Sequence, residues 1–278
     1  MRNRAAWILS VGLALSPVAK AENKLFITDV LDPGQMEAQG TLRFTRSSNV
    51  SFTSSSGLTG SGYRRTSRAT VSLGRGISDG FQLDAAIPYV LVDDEINTVN
   101  GVTTTRDQSG IGDLDMGLKH RIAGAERGPY VVSARLGIKP ETADSNKAGT
   151  GATNISPQLA ASFRIGDSLR AYGVYLATLR NHGHADTHTL IVGVEKTFSE
   201  TVVVTLETTA SINTASDTEA GYDTHGIALS SYLQVGRNLY LIPALSFSWI
   251  GEQRTLSGFS RADSQTVKAA SLGIYQLF

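Results

Sequence analysis

One pattern constrains this chain more than any other: from residue 35 to the end, apolar and polar residues alternate with a period of two. Gly110 to Ile122 shows it. Leu114, Met116 and Leu118 are apolar, whereas Asp113, Asp115, Lys119 and Arg121 are charged. A strand puts these sets on opposite faces, and a helix would mix them. Twelve segments share the pattern: 35–52, 63–76, 81–93, 109–122, 130–140, 152–165, 169–180, 188–198, 202–213, 223–236, 239–250 and 263–278. Most are longer than about 10 residues, whereas strands of soluble sheets average about 5–6. A tilted outer-membrane strand needs roughly 9–11 residues inside the bilayer.

The connections alternate in length. Short turns fall at 77–80, 166–168, 199–201 and 237–238, with 123–129 slightly longer; the others, at 53–62, 94–108, 141–151, 181–187, 214–222 and 251–262, are mostly longer and polar. Outer-membrane barrels have short periplasmic turns and long external loops, so the turn at 78–80 is expected in the periplasm and 94–108 outside. Asn100-Gly101, between Val99 and Val102, is a type I′ hairpin signal, which predicts a ribbon projecting beyond the membrane. The fold class expected is all-β: a twelve-stranded antiparallel transmembrane β-barrel of up-and-down topology. A soluble β-sandwich would also alternate, but with shorter strands and no alternation of loop length.

The N-terminus reads as an export signal. Arg2 and Arg4 precede an apolar run from Ala5 to Leu15, Pro17 breaks it, and Ala19-Lys20-Ala21 fits a cleavage site. The organisation expected is a signal peptide over 1–21, a periplasmic N-terminal segment over 22–34 and a barrel over 35–278, in the outer membrane of a Gram-negative bacterium. The chain has no cysteine, which removes disulfides and zinc–thiolate sites. With 25 basic and 25 acidic residues, it lacks the basic excess of a nucleic-acid binder, and no nucleic-acid partner is expected.

Parity divides each strand between lipid and lumen. Outward fall Phe44, Val71, Leu83, Leu118, Leu136, Leu159, Leu190, Leu206, Leu229, Leu245 and Leu272, with similar residues on either side. Segment 169–180 is ambiguous, because Val174 and Leu176 share parity with Arg170. Charge in lipid-level strands is costly unless paired or wetted, so the charged set belongs inside. The pore-lining candidates are Arg43, Arg68, Asp84, Asp113, Asp115, Lys119, Arg135, Lys139 and Glu207. Pairs of Asp84 with Arg68 and of Arg135 with Asp115 or Asp113 are expected, and Arg135, flanked by small parity mates, is expected to cross open lumen. The last strands offer chiefly hydroxyl groups inward, among them Thr205, Thr209, Ser230, Ser246 and Ser248. Tyr89, Trp249 and Tyr222 are placed in an outer aromatic belt, and Phe81, Phe198 and Tyr130 in an inner one.

Two motifs go beyond architecture. The strand Ser109-Gly110-Ile111-Gly112-Asp113-Leu114-Asp115-Met116-Gly117-Leu118-Lys119-His120-Arg121-Ile122 resembles the G-x-G-D-L-x-x-G-x-K-x-R strand of the outer-membrane channel family named for the meta-pathway of phenol degradation. Leu73 to Leu83, Ile87-Pro88-Tyr89, Leu136 to Thr142 and Asn154 to Gln158 fit the same family. The resemblance covers most of the mature chain, best over 63–166, and implies an outer-membrane barrel with a transport role but no defined substrate. The terminal Phe278 resembles the signal read by the outer-membrane barrel assembly machinery, although Gln276 stands where a second aromatic is usual.

The functional expectation is a porin-like channel passing small solutes, hydrophilic or aromatic. The alternative is a non-conducting structural or surface barrel with a charge-plugged lumen. Expected partners are outer-membrane lipids and lipopolysaccharide, the assembly machinery and a small-molecule solute. No cofactor and no enzymatic activity are expected. Asp113 and Asp115 could form a carboxylate pair, but strand geometry alone makes them neighbours. His182, His184 and His188, with Asp186 among them, could ligate a transition metal, but the spacing is loose and a solvated polar loop accounts for them better.

Overall fold

The computed structural model describes residues 28–53, 59–125, 128–144, 148–181, 184–215, 221–254 and 261–278; the signal-like segment 1–21 lies outside them. Twelve long strands make the wall: β1 Met36–Ser47, β2 Thr59–Ser78, β3 Phe81–Val99, β4 Asp115–Gly124, β5 Tyr130–Lys139, β6 Asn154–Ile165, β7 Leu169–Arg180, β8 Thr187–Ser199, β9 Val202–Asn213, β10 Tyr222–Gly236, β11 Leu239–Ile250 and β12 Gln265–Leu277. Consecutive strands pair antiparallel, and β1 also pairs with β12 from Glu37↔Leu277 to Ser47↔Val267. The sheet is therefore closed. Among the described residues each of the twelve wall strands is paired on both sides, which is the condition for strands in hydrocarbon, where an unpaired amide costs several kcal/mol. The last eight strands coincide with the alternating segments to within two residues; β1 ends five residues early, β2 begins four early, β3 runs six further, and β4 begins at Asp115, six residues into the segment 109–122.

The outer face carries at least one large exposed apolar or aromatic side chain on every strand: Phe44, Val71, Leu83, Leu118, Leu136, Leu159, Tyr175, Leu190, Leu206, Leu229, Leu245 and Leu272. So continuous an apolar belt is what lipid covers, and the barrel is built for an outer membrane. The aromatic residues at its rims include Tyr89, Trp249, Tyr130 and Phe198, all exposed. Phe81 stacks on His120 of β4 with ring centroids 4.0 Å apart. Tyr222 departs from the expected belt, because its register partner Asn213 shares the inward parity of Ser211 and Thr209.

The ambiguous strand β7 resolves inward. Val174 is buried with Arg170 and Tyr172, and it packs on Ala160 of β6 and Ile191 of β8. The lumen here holds a small apolar cluster, and Tyr175 and Leu179 take the lipid face. On β2 and β3 a bulge between Ser67 and Arg68 shifts the register, so that Arg68 faces Val90 while Thr66 faces Asp93. Both strands run past their neighbours. At the tip, Asn100 (φ 50°) and Gly101 (φ 78°) form the expected turn, and Val102–Asp107 returns along β3 as a ribbon.

Candidate functional site

The lumen holds the candidate residues; most of its charged side chains fall into three groups, and the rest lie in the long-loop half. The first centres on Arg135 of β5. Its guanidinium donates to Asp84 of β3 through Nε (3.1 Å) and Nη2 (2.5 Å), and through Nη2 to Asp115 of β4 (2.7 Å). The pairing with Asp115 was expected; Asp84 takes Arg135 in place of Arg68, and Asp113 takes no part. Nor does the side chain cross open lumen. Asp84, Gly117 and Gly137 lie in one register row across β3, β4 and β5. A Cβ at Gly117 or at Gly137 would collide with the guanidinium. The two glycines leave a trough in the wall, and the guanidinium lies flat in it between its two carboxylates.

Asp113 forms the second group with the segment that follows β5. It accepts from the backbone N–H groups of Thr142 (3.0 Å), Ala143 (2.9 Å) and Thr150 (2.7 Å), and from the Thr150 hydroxyl (2.6 Å). Thr142 returns the tie by accepting from the amide of Leu114 (2.9 Å). Asp113 and Asp115 thus serve different partners and are not an acid–base pair. The motif over 109–122 acquires physical content: Asp113 anchors a connection, Gly117 makes room for Arg135, and Lys119 holds the chain described next.

The third group was not legible in advance. Residues 28–31 do not stay outside the wall, as assignment of 22–34 to the periplasm implied; they run inside it at the short-turn end, every one buried. Asp29 pairs with Arg170 of β7 (3.3 Å), and its carbonyl accepts from the Lys119 ammonium. The Thr28 hydroxyl bonds Ser162 of β6 (3.0 Å), and the Leu31 amide donates to Gln82 of β3 (3.0 Å). Leu31 packs into a cluster with Tyr240, Tyr275 and Leu277. Gly34 and Gln35 exchange backbone bonds with Gly76, which seats the strap against β2. The physical reason is complementarity: Lys119 and Arg170 are buried cations that need oxygen partners, and Val30 and Leu31 are apolar. The signal in the sequence was Val30-Leu31 ahead of the Pro33-Gly34 turn, too short to register as an element.

Beside the strap lies a cavity of about 270 Å³, bordered by Glu37, Glu195 and Glu207, by Lys119 and Arg170, and by Tyr172, Tyr232 and Tyr275. Its polar groups are tied together: Tyr172 donates to Glu207 (2.6 Å), Tyr275 to Glu37 (2.9 Å) and Gln82 to Glu37 (2.8 Å). The ring of Tyr172 lies over Gly193 of β8, where a Cβ would collide with it.

The long-loop half differs. Arg43 of β1 and Arg68 of β2 are register partners on the inward face. Lys139, at the end of β5, is within Coulombic reach of Arg68. Arg64 and Asp93, absent from the expected set, form a fork at 2.6 and 2.5 Å. Only the bulge in β3 brings Asp93 to that face. Directly beside Arg43, on β12 and the two strands before it, the rows Ala228↔Ser246↔Ala269 and Ser230↔Ala244↔Ser271 present small side chains to the lumen. Of the histidines, His182 lies outside the described residues, and His188 bonds the Tyr175 hydroxyl (2.9 Å). Among the described residues no cluster of three metal-ligating side chains occurs.

No protein-family model matches the chain, and no curated protein matches it in sequence. Solved structures do resemble it. An outer-membrane channel from Pseudomonas putida F1 superposes with a TM-score of 0.58 at 10% identity, covering 94% of this chain and 100% of that chain. The KdgM porin gives a TM-score of 0.47 at 10% identity over 85% of this chain and 98% of that chain. The NanC porin gives 0.45 at 12% over 85% and 98%. At such identities the likeness is one of architecture: a closed antiparallel barrel of the outer-membrane type.

Proposed function

We propose that this protein is a passive channel for small solutes across the outer membrane. The observation that carries this reading is the wall of β10, β11 and β12. In the long-loop half, beyond Tyr232, Tyr240 and Tyr275, the lumen meets the hydroxyls and alanines around Ser230, Ser246, Ser248 and Ser271. A barrel of modest strand number that is merely structural is commonly filled by its own interior side chains. The fold shared with an outer-membrane channel supports the reading. The nine charged candidates, from Arg43 to Glu207, divide in it between roles: Arg43, Arg68 and Lys139 face the path, Arg135 with Asp84 and Asp115 stiffens the wall, Asp113 anchors the segment after β5, Lys119 holds the strap, and Glu207 accepts from Tyr172 beside it. The resemblance of residues 109–122 to the phenol meta-pathway family extends the reading to small aromatic solutes. Outer-membrane lipids and lipopolysaccharide cover the apolar belt in this proposal, and the strand ending at Phe278 engages the assembly machinery.

A second reading, a non-conducting structural barrel, is favoured by one observation: residues 28–31 and the Arg135 group together occupy the short-turn half. Single-channel recording in planar bilayers separates the two. The channel reading expects discrete conductance steps from folded protein, increased when residues 22–31 are deleted. Silence from both folded forms sinks it in favour of the structural barrel.

A further inference from the structure

The charges on the lumen wall do not balance once their partners are assigned. Asp84 and Asp115 are committed to Arg135, Asp93 to Arg64 and Thr66, and Asp113 to the segment after β5. Glu37 and Glu207 accept from tyrosines, and Glu195 is buried beside Arg170. Arg43, Arg68 and Lys139 make no direct hydrogen bond or ion pair among the described residues, although Arg68 lies in the field of Asp93, and Lys139 in those of Asp113 and Asp115. Arg43 and Arg68 stand directly opposite each other on neighbouring strands, an arrangement of like charges that is destabilising without a counter-charge. Lys139, on the inward face of β5, is near enough to Arg68 to feel its charge, with Asp113, Arg180 and Asp115 also acting on it. On the other flank of Arg43, its register partner is Ser271, a neutral hydroxyl.

We propose that Arg43 and Arg68 form an anion station in the long-loop half of the lumen, and that it takes small organic carboxylates. A carboxylate has two oxygens and so can bridge two guanidinium groups, each donating planar N–H bonds, while Lys139 holds a second carboxylate of the same molecule. This deepens the channel reading by naming a solute class, and it rests on that reading for its biological sense. Binding itself needs no conduction, so the two can fail separately.

The test is equilibrium dialysis of the folded protein in detergent at low ionic strength, where screening is weak. The probes are labelled succinate, acetate, neutral succinamide and inorganic phosphate. The station predicts saturable binding in the order succinate, acetate, then none for succinamide, with phosphate weaker than succinate. Arg43→Gln and Arg68→Gln should each weaken succinate binding about ten-fold, the usual scale for loss of one charge-assisted bond. Arg75→Gln, on the outer face, should leave it unchanged. Folding of each variant is checked by heat-modifiable migration on gels. Equal binding of succinamide, tighter binding of phosphate, insensitivity to both lumen variants, or no binding at all overturns the proposal. Binding as predicted by a protein that never conducts retains the station and discards the channel.

Discussion

Neutralising Asp29 should loosen the strap inside the barrel by a calculable amount. Its carboxylate lies 3.3 Å from Arg170, and both side chains are nearly excluded from solvent, 9% exposed for arginine and 3% for aspartate. A hydrogen bond to a charged group contributes about 1.5–3 kcal/mol, and burial here spares it most solvent screening. In Asp29→Asn the shape is kept, Lys119 keeps its backbone acceptor, and Arg170 keeps Glu195 nearby. The loss is then about 2 kcal/mol, which raises the population with the strap released roughly 30-fold. The chain has no native cysteine, so Val30→Cys gives a single reporter at a position only 1% exposed. When reclosing outpaces reaction, its labelling rate by a thiol reagent follows the released population. Labelling of Val30→Cys should be slow, and roughly 30-fold faster when combined with Asp29→Asn. Two results refute the reasoning: a rate in Val30→Cys equal to that of Asn100→Cys at the exposed ribbon tip, or a rate indifferent to Asp29→Asn.

Arg135→Ala should leave the barrel folded and move the reversal potential in a salt gradient toward cation preference, because Asp84 and Asp115 keep their charge after the guanidinium is gone; an unchanged potential in a conducting barrel means that this part of the wall does not act on the passing ions. Gly193→Ala should force the ring of Tyr172 aside and strain its bond to Glu207, costing about 1–3 kcal/mol of stability by overpacking, read as a lower urea midpoint for unfolding; an unshifted midpoint contradicts the close approach at Gly193. Thiol labelling of intact cells should reach Asn100→Cys and spare Asp79→Cys in the short turn between β2 and β3, and the opposite pattern inverts the topology.

The sequence by itself determined the sheet. A period of two carries its own face assignment, because a one-residue slip would turn every leucine of a strand from lipid to lumen. Twelve such segments with loops of alternating length leave little but an up-and-down barrel, and the type I′ turn at Asn100-Gly101 is written in two residues. Only the tertiary structure decided what the inward side chains do. Parity says that Arg135, Asp84, Asp113 and Asp115 face inward, but it does not say which acid meets the arginine. That choice depends on the register rows of three strands and on the trough left by Gly117 and Gly137. The bulge beside Arg68 brings Asp93 to the lumen by a one-residue shift that alternation does not reveal. The strap depends on Lys119, Arg170, Gln82 and Ser162, drawn from four strands and far from residues 28–31 in sequence. Local patterning records where a side chain points. Its partner is set by closure of the barrel, which brings distant strands around one small interior.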